Sequence, residues 1–294
     1  MTGQKGTVLI TGASSGIGAV VADRLAKRGH DLIIIGRDEE RLNSVANRAS
    51  NETGRSARAI VADLTKKFDL EKVERILRND ASITALVNNA GVGAPAPFLD
   101  ADIDRLAQMV ELNVTALVRL SYAVLPAFLN RGSGSIINVA SAVGIVPEIL
   151  NGVYGGTKAF VIAFSRSLHK EFGPRGIRIQ AILPGATATD FWDIAGTPLD
   201  QVPREMVMRV DEMVDAALAG FDQGELITIP SLPDVADWET YEAARQNLIP
   251  KLSLSLPAAR YHVLDLNQSR KPEDVEDNHH GVDPEVARLA KESQ

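Results

Sequence analysis

Three side chains in the middle of the sequence have the types and spacing for proton transfer. The segment 135–158 begins with an apolar run, Ile136-Ile137-Asn138-Val139, that reads as a buried parallel strand and delivers Ser141 just beyond its end. Tyr154 and Lys158 follow on a predicted helix. Four residues apart, they share one face, so a phenol and an ammonium can address the same ligand. A hydroxyl donor, a tunable acid and a cation converging at the carboxyl end of a parallel strand suit proton transfer to or from a carbonyl group. Taken singly, each has a plainer reading: a strand-end serine bonded to its own backbone, a surface tyrosine, a solvated lysine.

These residues need a scaffold, and the pattern around them supplies one. Val8-Leu9-Ile10, Leu32 to Ile35, Ala59 to Ala62, Ala85 to Val87, Ile177 to Leu183 and Leu226 to Ile229 are short apolar runs that predict strands. Between them lie helical patterns: one to about Arg28 stopped by Gly29, one capped by Asp38, one over about 68–78, and a long one from about Asp102 to Leu129. Alternating strand and helix predicts an α/β, Rossmann-type doubly wound parallel sheet of about seven strands with helices on both faces. Residues 1–262 are expected to form a single domain, with about 190–224 as a substrate lid and 231–262 as a C-terminal addition. Residues 263–294 read as a polar tail or arm.

A second candidate site lies in the first strand-to-helix turn, where Gly12, Gly16 and Gly18 surround Ser14, Ser15 and Ile17. Glycines there let backbone amides approach a pyrophosphate at a helix N-terminus, although such a turn could also be only a tight connection. The spacing is neither G-x-G-x-x-G nor a P-loop. At the end of the second strand, nineteen residues past Gly18, the sequence has Gly36-Arg37 instead of an acidic residue. An acid would favour the ribose 2′-hydroxyl of NAD, whereas arginine suits the 2′-phosphate of NADP. NADP(H) is therefore expected over NAD(H), unless Arg37 is merely a solvated residue before a helix.

Composition excludes several alternatives. The 294 residues are 45% hydrophobic with a net charge of -7, so no global basic field invites nucleic acid. The chain has no cysteine, which removes disulfides, thiolate metal sites and a cysteine nucleophile. The first strand starts near Gly6, leaving no room for a signal peptide. The most apolar stretch, 115–129, is interrupted by Arg119 and Pro126. A cytoplasmic protein with no membrane partner is expected. His279-His280 in the tail read as solvated, and no metal site is expected.

Together these motifs resemble the short-chain dehydrogenase/reductase family, in its single-domain branch, over about 6–230. The resemblance rests on Thr11 to Gly18 (TGASSGIG), Asp63-Leu64, Asn88 to Gly91 (NNAG), Asn113, Ser141, Tyr154-x-x-x-Lys158, and Pro184-Gly185 with Thr189. It implies Tyr154 as general acid or base and Lys158 as the charge that lowers the phenol pKa and holds the nicotinamide ribose. Ser141 would bond the substrate oxygen, and Asn113 would hold a water for proton resupply. It also implies that Asp63 and Leu64 flank the adenine, and that Asn89, Ala90 and Gly91 line the adenosine half. Pro184, Gly185, Thr187 and Thr189 would lie near the nicotinamide and pyrophosphate. Gly93, Ala94, Val143, Ile149, Leu150, Phe191 and Trp192 are candidate pocket residues, mostly small or apolar, favouring an apolar carbonyl or alcohol substrate. Met206, Met208, Met213 and Val214 are candidate lid contacts or core. The resemblance further implies a homodimer or homotetramer. The extension beyond Pro230 departs from the family pattern. A non-catalytic NADP(H)-sensing or scaffolding module is the alternative, disfavoured because Ser141, Tyr154, Lys158 and Asn113 are all kept.

Overall fold

In a computed structural model, residues 5–93, 96–150, 152–192 and 199–261 are described. They fall into two compact units, one up to Leu232 and one from Pro233 onward. The tail 263–294, Ala94, Thr197 and the double histidine lie outside the described residues.

The first unit is built on a seven-stranded sheet. Its strands are β1 (Lys5–Thr11), β2 (His30–Gly36), β3 (Ala57–Val61), β4 (Ile83–Asn88), β5 (Gly134–Val139), β6 (Ile177–Ile182) and an edge strand (Ile227–Thr228). All pairings are parallel and the order is β3-β2-β1-β4-β5-β6-edge. The order reverses between β1 and β4, the switch point beside which open α/β sheets bind ligands. The edge strand pairs over only two residues, shorter than the predicted Leu226 to Ile229, because Pro230 brings no amide to extend the ladder.

Alternation along the strands sends side chains to two cores. Val8, Ile10, Leu32 and Ile34 pack with α1 (Gly16–Lys27), α2 (Glu39–Thr53) and the helix Val210–Gln223 on one face. Leu9, Ile33, Ile35, Leu86 and Ile136 pack on the other with α3 (Lys67–Asn79), α5 (Leu117–Arg131) and α6 (Gly152–Phe172). Local signals set the ends. Asp38 accepts the Arg41 amide at 3.0 Å to start α2, and Gly54 at φ 69° ends it. Met213 and Val214 are fully buried in the first core, so they belong to packing, whereas Met206 is exposed.

The long helix expected from Asp102 is one continuous helix, Ile103–Arg131, but not a uniform one. α4 (Ile103–Val110) passes through a π-helical turn (Glu111–Ala116) into α5. By length and composition it could cross a membrane. Half of its most apolar window is buried inside the fold, where Leu120, Val124 and Phe128 face the sheet. Core packing accounts for that apolarity.

Outside this core, Glu74 of α3 is buried, and its carboxylate accepts Arg119 Nε of α5 and Arg78 Nη2, each at 2.5 Å. Burial alone would raise its pKa, but the two guanidiniums outweigh it and hold the carboxyl below its usual value. A depressed carboxylate pKa stabilises the fold above the unfolded-state pKa, and that contribution disappears as the pH falls through the folded-state value. Glu74→Gln should therefore cost about 1–2 kcal/mol in urea unfolding at pH 7, reduced because both arginines are partly solvated. The difference from the parent protein should narrow on acidification below about pH 4.

Candidate active site

The turn between β1 and α1 is held by an interlocking set of short-range contacts. Gly12 and Gly16 take φ of 66° and 53°, conformations open to glycine. A Cβ on Gly18 would collide with the Gly12 carbonyl oxygen and lie 2.5 Å from Asn89 Nδ2. Asn89 Nδ2 in turn donates to the carbonyls of Thr11 and Gly12, both at 2.9 Å. Thr11 Oγ1 accepts the amides of Asn89 and Ala90 at 3.0 Å and donates to Val87 O at 3.3 Å. The first helix begins at Ser15 with no side-chain cap and no acidic residue in its first turn. Its leading amides are thus available to an anion such as a pyrophosphate.

The remaining predicted cofactor residues sit around this turn. Ser14 lies against Gly36, where a Cβ would come within 3.3 Å of it. Arg37 is exposed directly after β2 and is close enough to Asp63 to lower that carboxyl's pKa. The Asp63 carboxylate accepts the amide and hydroxyl of Thr65 at 3.0 and 2.8 Å. Ile17 packs on the first core and Leu64 is buried in the second. Thr189, after β6, reaches Gly16, whose Cβ would lie 3.3 Å from Thr189 Cβ. Thr187 is buried and its hydroxyl donates to Gly185 O at 3.1 Å. A glycine cradle, an uncapped helix start and an adjacent arginine fit a phosphorylated dinucleotide.

The candidate catalytic residues lie beyond β4, β5 and β6. Ser141 is buried, accepts the Val143 amide at 3.2 Å and donates to Pro184 O at 3.4 Å. It lies close enough to the Tyr154 phenol to lower that group's pKa. Lys158 is buried, donates to Val139 O at 2.9 Å, and places Nζ 5.8 Å from the Tyr154 ring centre. Asn113 sits in the π turn with both ends of its amide engaged. Its Oδ1 accepts Val92 N at 3.0 Å, and its Nδ2 donates to Val92 O at 2.9 Å and Thr157 Oγ1 at 3.1 Å. The Gly91 backbone passes between them: a Cβ there would be 3.1 Å from Asn113 Oδ1 and 3.5 Å from Lys158 Nζ.

Burial dominates the electrostatics. It pushes the Tyr154 phenol up to about 12, with Ser141 pulling the other way, and pushes the Lys158 ammonium down to about 8. The Lys158 partner is a neutral carbonyl and its surroundings are dry, so burial makes its ammonium easier to deprotonate than a solvated lysine's.

Around the phenol lies a separate apolar cluster of Leu106, Met109 and Tyr154, with Val92, Val143, Leu150, Val153 and Phe191. The Phe191 ring centre is 6.1 Å from those of Tyr154 and Trp192. It also presses on Gly93, where a Cβ would fall 2.5 Å from the ring. Of the candidate pocket residues, Ile149 is exposed.

The sequence profile described as short chain dehydrogenase matches residues 6–197. This chain belongs to the short-chain dehydrogenase family. It is 47% identical to a short-chain dehydrogenase from Sphingobium yanoikuyae in complex with NADPH, with a TM-score of 0.84 covering 87% of this chain and 100% of that one. It is 44% identical to the bulky-bulky ketone specific alcohol dehydrogenase of Comamonas testosteroni, TM-score 0.81, covering 88% and 99%. A curated relative, the very-long-chain 3-oxoacyl-CoA reductase of Anas platyrhynchos, is 35% identical over 205 residues. That match covers 68% of this chain and 66% of the relative. Members of the family use a nicotinamide cofactor and act on small molecules.

Against this short-chain dehydrogenase frame, sequence reasoning missed Thr11, Thr157, Leu106 and Met109. The first two stood inside quoted motifs, and their hydroxyls meet partners far along the chain: Asn89 and Ala90 for Thr11, Asn113 for Thr157. The last two sit three apart on α4, a spacing that marks a shared face but not what it faces. Because the Gly18 position leaves no room for a methyl, Gly18→Ala should force the glycine turn off the Asn89 clamp. We expect dinucleotide binding, read by nicotinamide fluorescence, to weaken at least about tenfold, as a misplacement on the ångström scale commonly does.

Proposed function

We propose that this short-chain dehydrogenase is an NADP(H)-preferring oxidoreductase acting on ketones, or the matching secondary alcohols, flanked by sizeable apolar groups. The observation that carries the reading is the convergence of Ser141, Tyr154 and Lys158 against the cluster of Leu106, Met109, Val143, Leu150 and Phe191. Arg37 in place of an acidic residue supports the NADP preference, as does the likeness to an enzyme described in complex with NADPH. The likeness to a bulky-bulky ketone specific alcohol dehydrogenase supports the substrate class.

A bound nicotinamide would supply or take the hydride. The protein's part is orientation and proton transfer. The Tyr154 phenol donates its proton to the carbonyl oxygen as negative charge develops there, and the Ser141 hydroxyl beside the phenol bonds that oxygen. With its pKa pushed to about 12, the phenol is protonated throughout the neutral range, which suits reduction. The Lys158 ammonium, fixed by Val139 O beneath the ring, provides positive charge that offsets the forming phenolate. The apolar cluster excludes water and accepts the two carbon arms of the substrate.

Tyr154→Phe should lose at least about 100-fold in ketone reduction while binding NADPH as the parent does. A non-catalytic sensor would be indifferent in both measurements. Arg37→Ala should weaken NADPH binding about 10–100-fold, the value of a charge-assisted phosphate contact, and leave NADH unchanged. Equal binding of both cofactors by the parent protein would overturn the NADP assignment. The reduction rate should hold steady near neutral pH and fall as the pH rises through about 8, where Lys158 loses its proton. The opposite slope would remove Lys158 from the proposed role.

A further inference from the structure

The residue before the lysine, Thr157, has no part in the chemistry described so far, yet it occupies the junction of three elements that frame the phenol. Thr157 is buried on α6, at 4% exposure. Its hydroxyl donates to Tyr154 O at 2.8 Å, one turn back on its own helix. That local bond satisfies the proton, as threonine hydroxyls in helices commonly arrange. The oxygen then accepts Asn113 Nδ2 at 3.1 Å from the π turn between α4 and α5. The same Asn113 amide grips both the amide and the carbonyl of Val92 on the loop after β4.

A chain of hydrogen bonds therefore runs from the Val92 backbone through Asn113 and Thr157 to the backbone of Tyr154 itself. Each end bears on the site. Val92 is followed by Gly93, on which Phe191 packs, and Phe191 lies beside the phenol. Lys158, the next residue after Thr157, shares the space over Gly91 with Asn113 Oδ1. π turns are rare and concentrate at functional sites, since the extra residue re-aims one side chain out of register. Here the re-aimed side chain is Asn113, and the group that receives it on the catalytic helix is the Thr157 hydroxyl. No other side chain of α6 is bonded to Asn113 among the described residues.

We propose that Thr157 is a positioning residue, whose hydroxyl locks the Asn113 turn and the Val92–Gly93 loop to the Tyr154–Lys158 face of α6. This rests on the oxidoreductase reading above. The lock costs nothing in local helix geometry, because the same oxygen already bonds within α6. It confers a fixed spacing between the proton donor and the loop that bounds the substrate carbonyl. Removing the hydroxyl while keeping the shape leaves Asn113 Nδ2 with Val92 O alone. Rotation of that amide then moves the loop and the Tyr154–Lys158 pair independently, and a displacement of about 1 Å at a reacting centre costs up to about 100-fold in rate.

The test uses the full-length chain with Thr157→Val, Thr157→Ser, Asn113→Ala and the Asn113→Ala/Thr157→Val double variant. NADPH, a bulky aryl ketone as probe substrate and thermal unfolding complete it. Thr157→Val should lower kcat about 10–100-fold, with little change in NADPH affinity, and should displace the alkaline limb of the kcat profile. Thr157→Ser should restore kcat and the profile to near the parent values. The double variant should be no slower than the worse single one, because both delete the same bond. Thr157→Val with unchanged kcat and pH profile would overturn the proposal, as would additive losses in the double variant. A kcat loss that serine does not rescue, matched only by a lower unfolding temperature, would equally reduce Thr157 to a packing residue. Tyr154→Phe run alongside separates the two levels. If it retains turnover, the oxidoreductase reading itself fails; if it is dead while Thr157→Val is fully active, only the Thr157 proposal falls.

Discussion

The site depends on one unfavourable act, the burial of the Lys158 ammonium against a neutral carbonyl. Val139 O, at the last residue of β5, receives Nζ at 2.9 Å. That bond hooks α6 onto the carboxyl end of β5, two residues before Ser141. A lysine in such surroundings gains too little from one carbonyl to offset the loss of water, and its pKa falls to about 8. The same dry setting drives the phenol to about 12. Each group is thereby brought closer to neutrality than in water, and each responds strongly to any charge that enters beside it. A solvated lysine and tyrosine at the same spacing would hold their ordinary pKa values and respond weakly.

Keeping these groups in place requires that loops at the carboxyl edge of the sheet not move separately. The structure achieves this with side chains bonded to backbone across large sequence distances. Thr11 and Asn89 weld the glycine turn to the strand that follows the switch point. Asn113 welds the next loop to the long helix, and Ser141 ties its own loop to Pro184 after β6. Deeper, Asn88, Asn138, Ser121 and Ser165 form a buried polar chain linking β4 and β5 to α5 and α6. In a low-dielectric interior such networks favour one arrangement, since a slip leaves further polar groups without partners beyond Asn88 Oδ1, which has none.

How much of this was legible in the sequence follows from the range of each cause. Strand cores, the Asp38 cap and the Gly29 stop are set by near neighbours, and they appear where the pattern places them. The parallel sheet, and with it the delivery of Ser141 to a strand's carboxyl end, follows from alternating strand and helix with right-handed crossovers, whereas the strand order does not. The π turn was not legible, because it lies in an unbroken apolar pattern and is fixed by what Asn113 can reach on Val92 and Thr157. The low pKa of Lys158 was not legible either, since burial is decided by elements remote in sequence. Met213 and Val214 look alike as lid or core, and only their helix's contact with the first core distinguishes the two.

The two halves of the site are made of different material, and that difference bears on specificity. The half proposed for the dinucleotide is mostly backbone: Gly12 and Gly18 with no room for a Cβ, amides at a helix start and carbonyls held by Asn89. Almost any substitution there meets main-chain atoms, so its geometry is tightly constrained. The half proposed for the substrate is side chains on loops and one helix face: Leu106, Met109, Val143, Leu150 and Phe191. Apolar packing of this kind tolerates exchange at similar volume and discriminates weakly between substrates differing by a methylene. The proton-transfer residues stand at the boundary, with Ser141 and Lys158 bonded to backbone and Tyr154 packed against Phe191. On the proposed reading, a fold so divided can change its substrate by exchanging a few apolar side chains while Tyr154 and the glycine turn stay where they are.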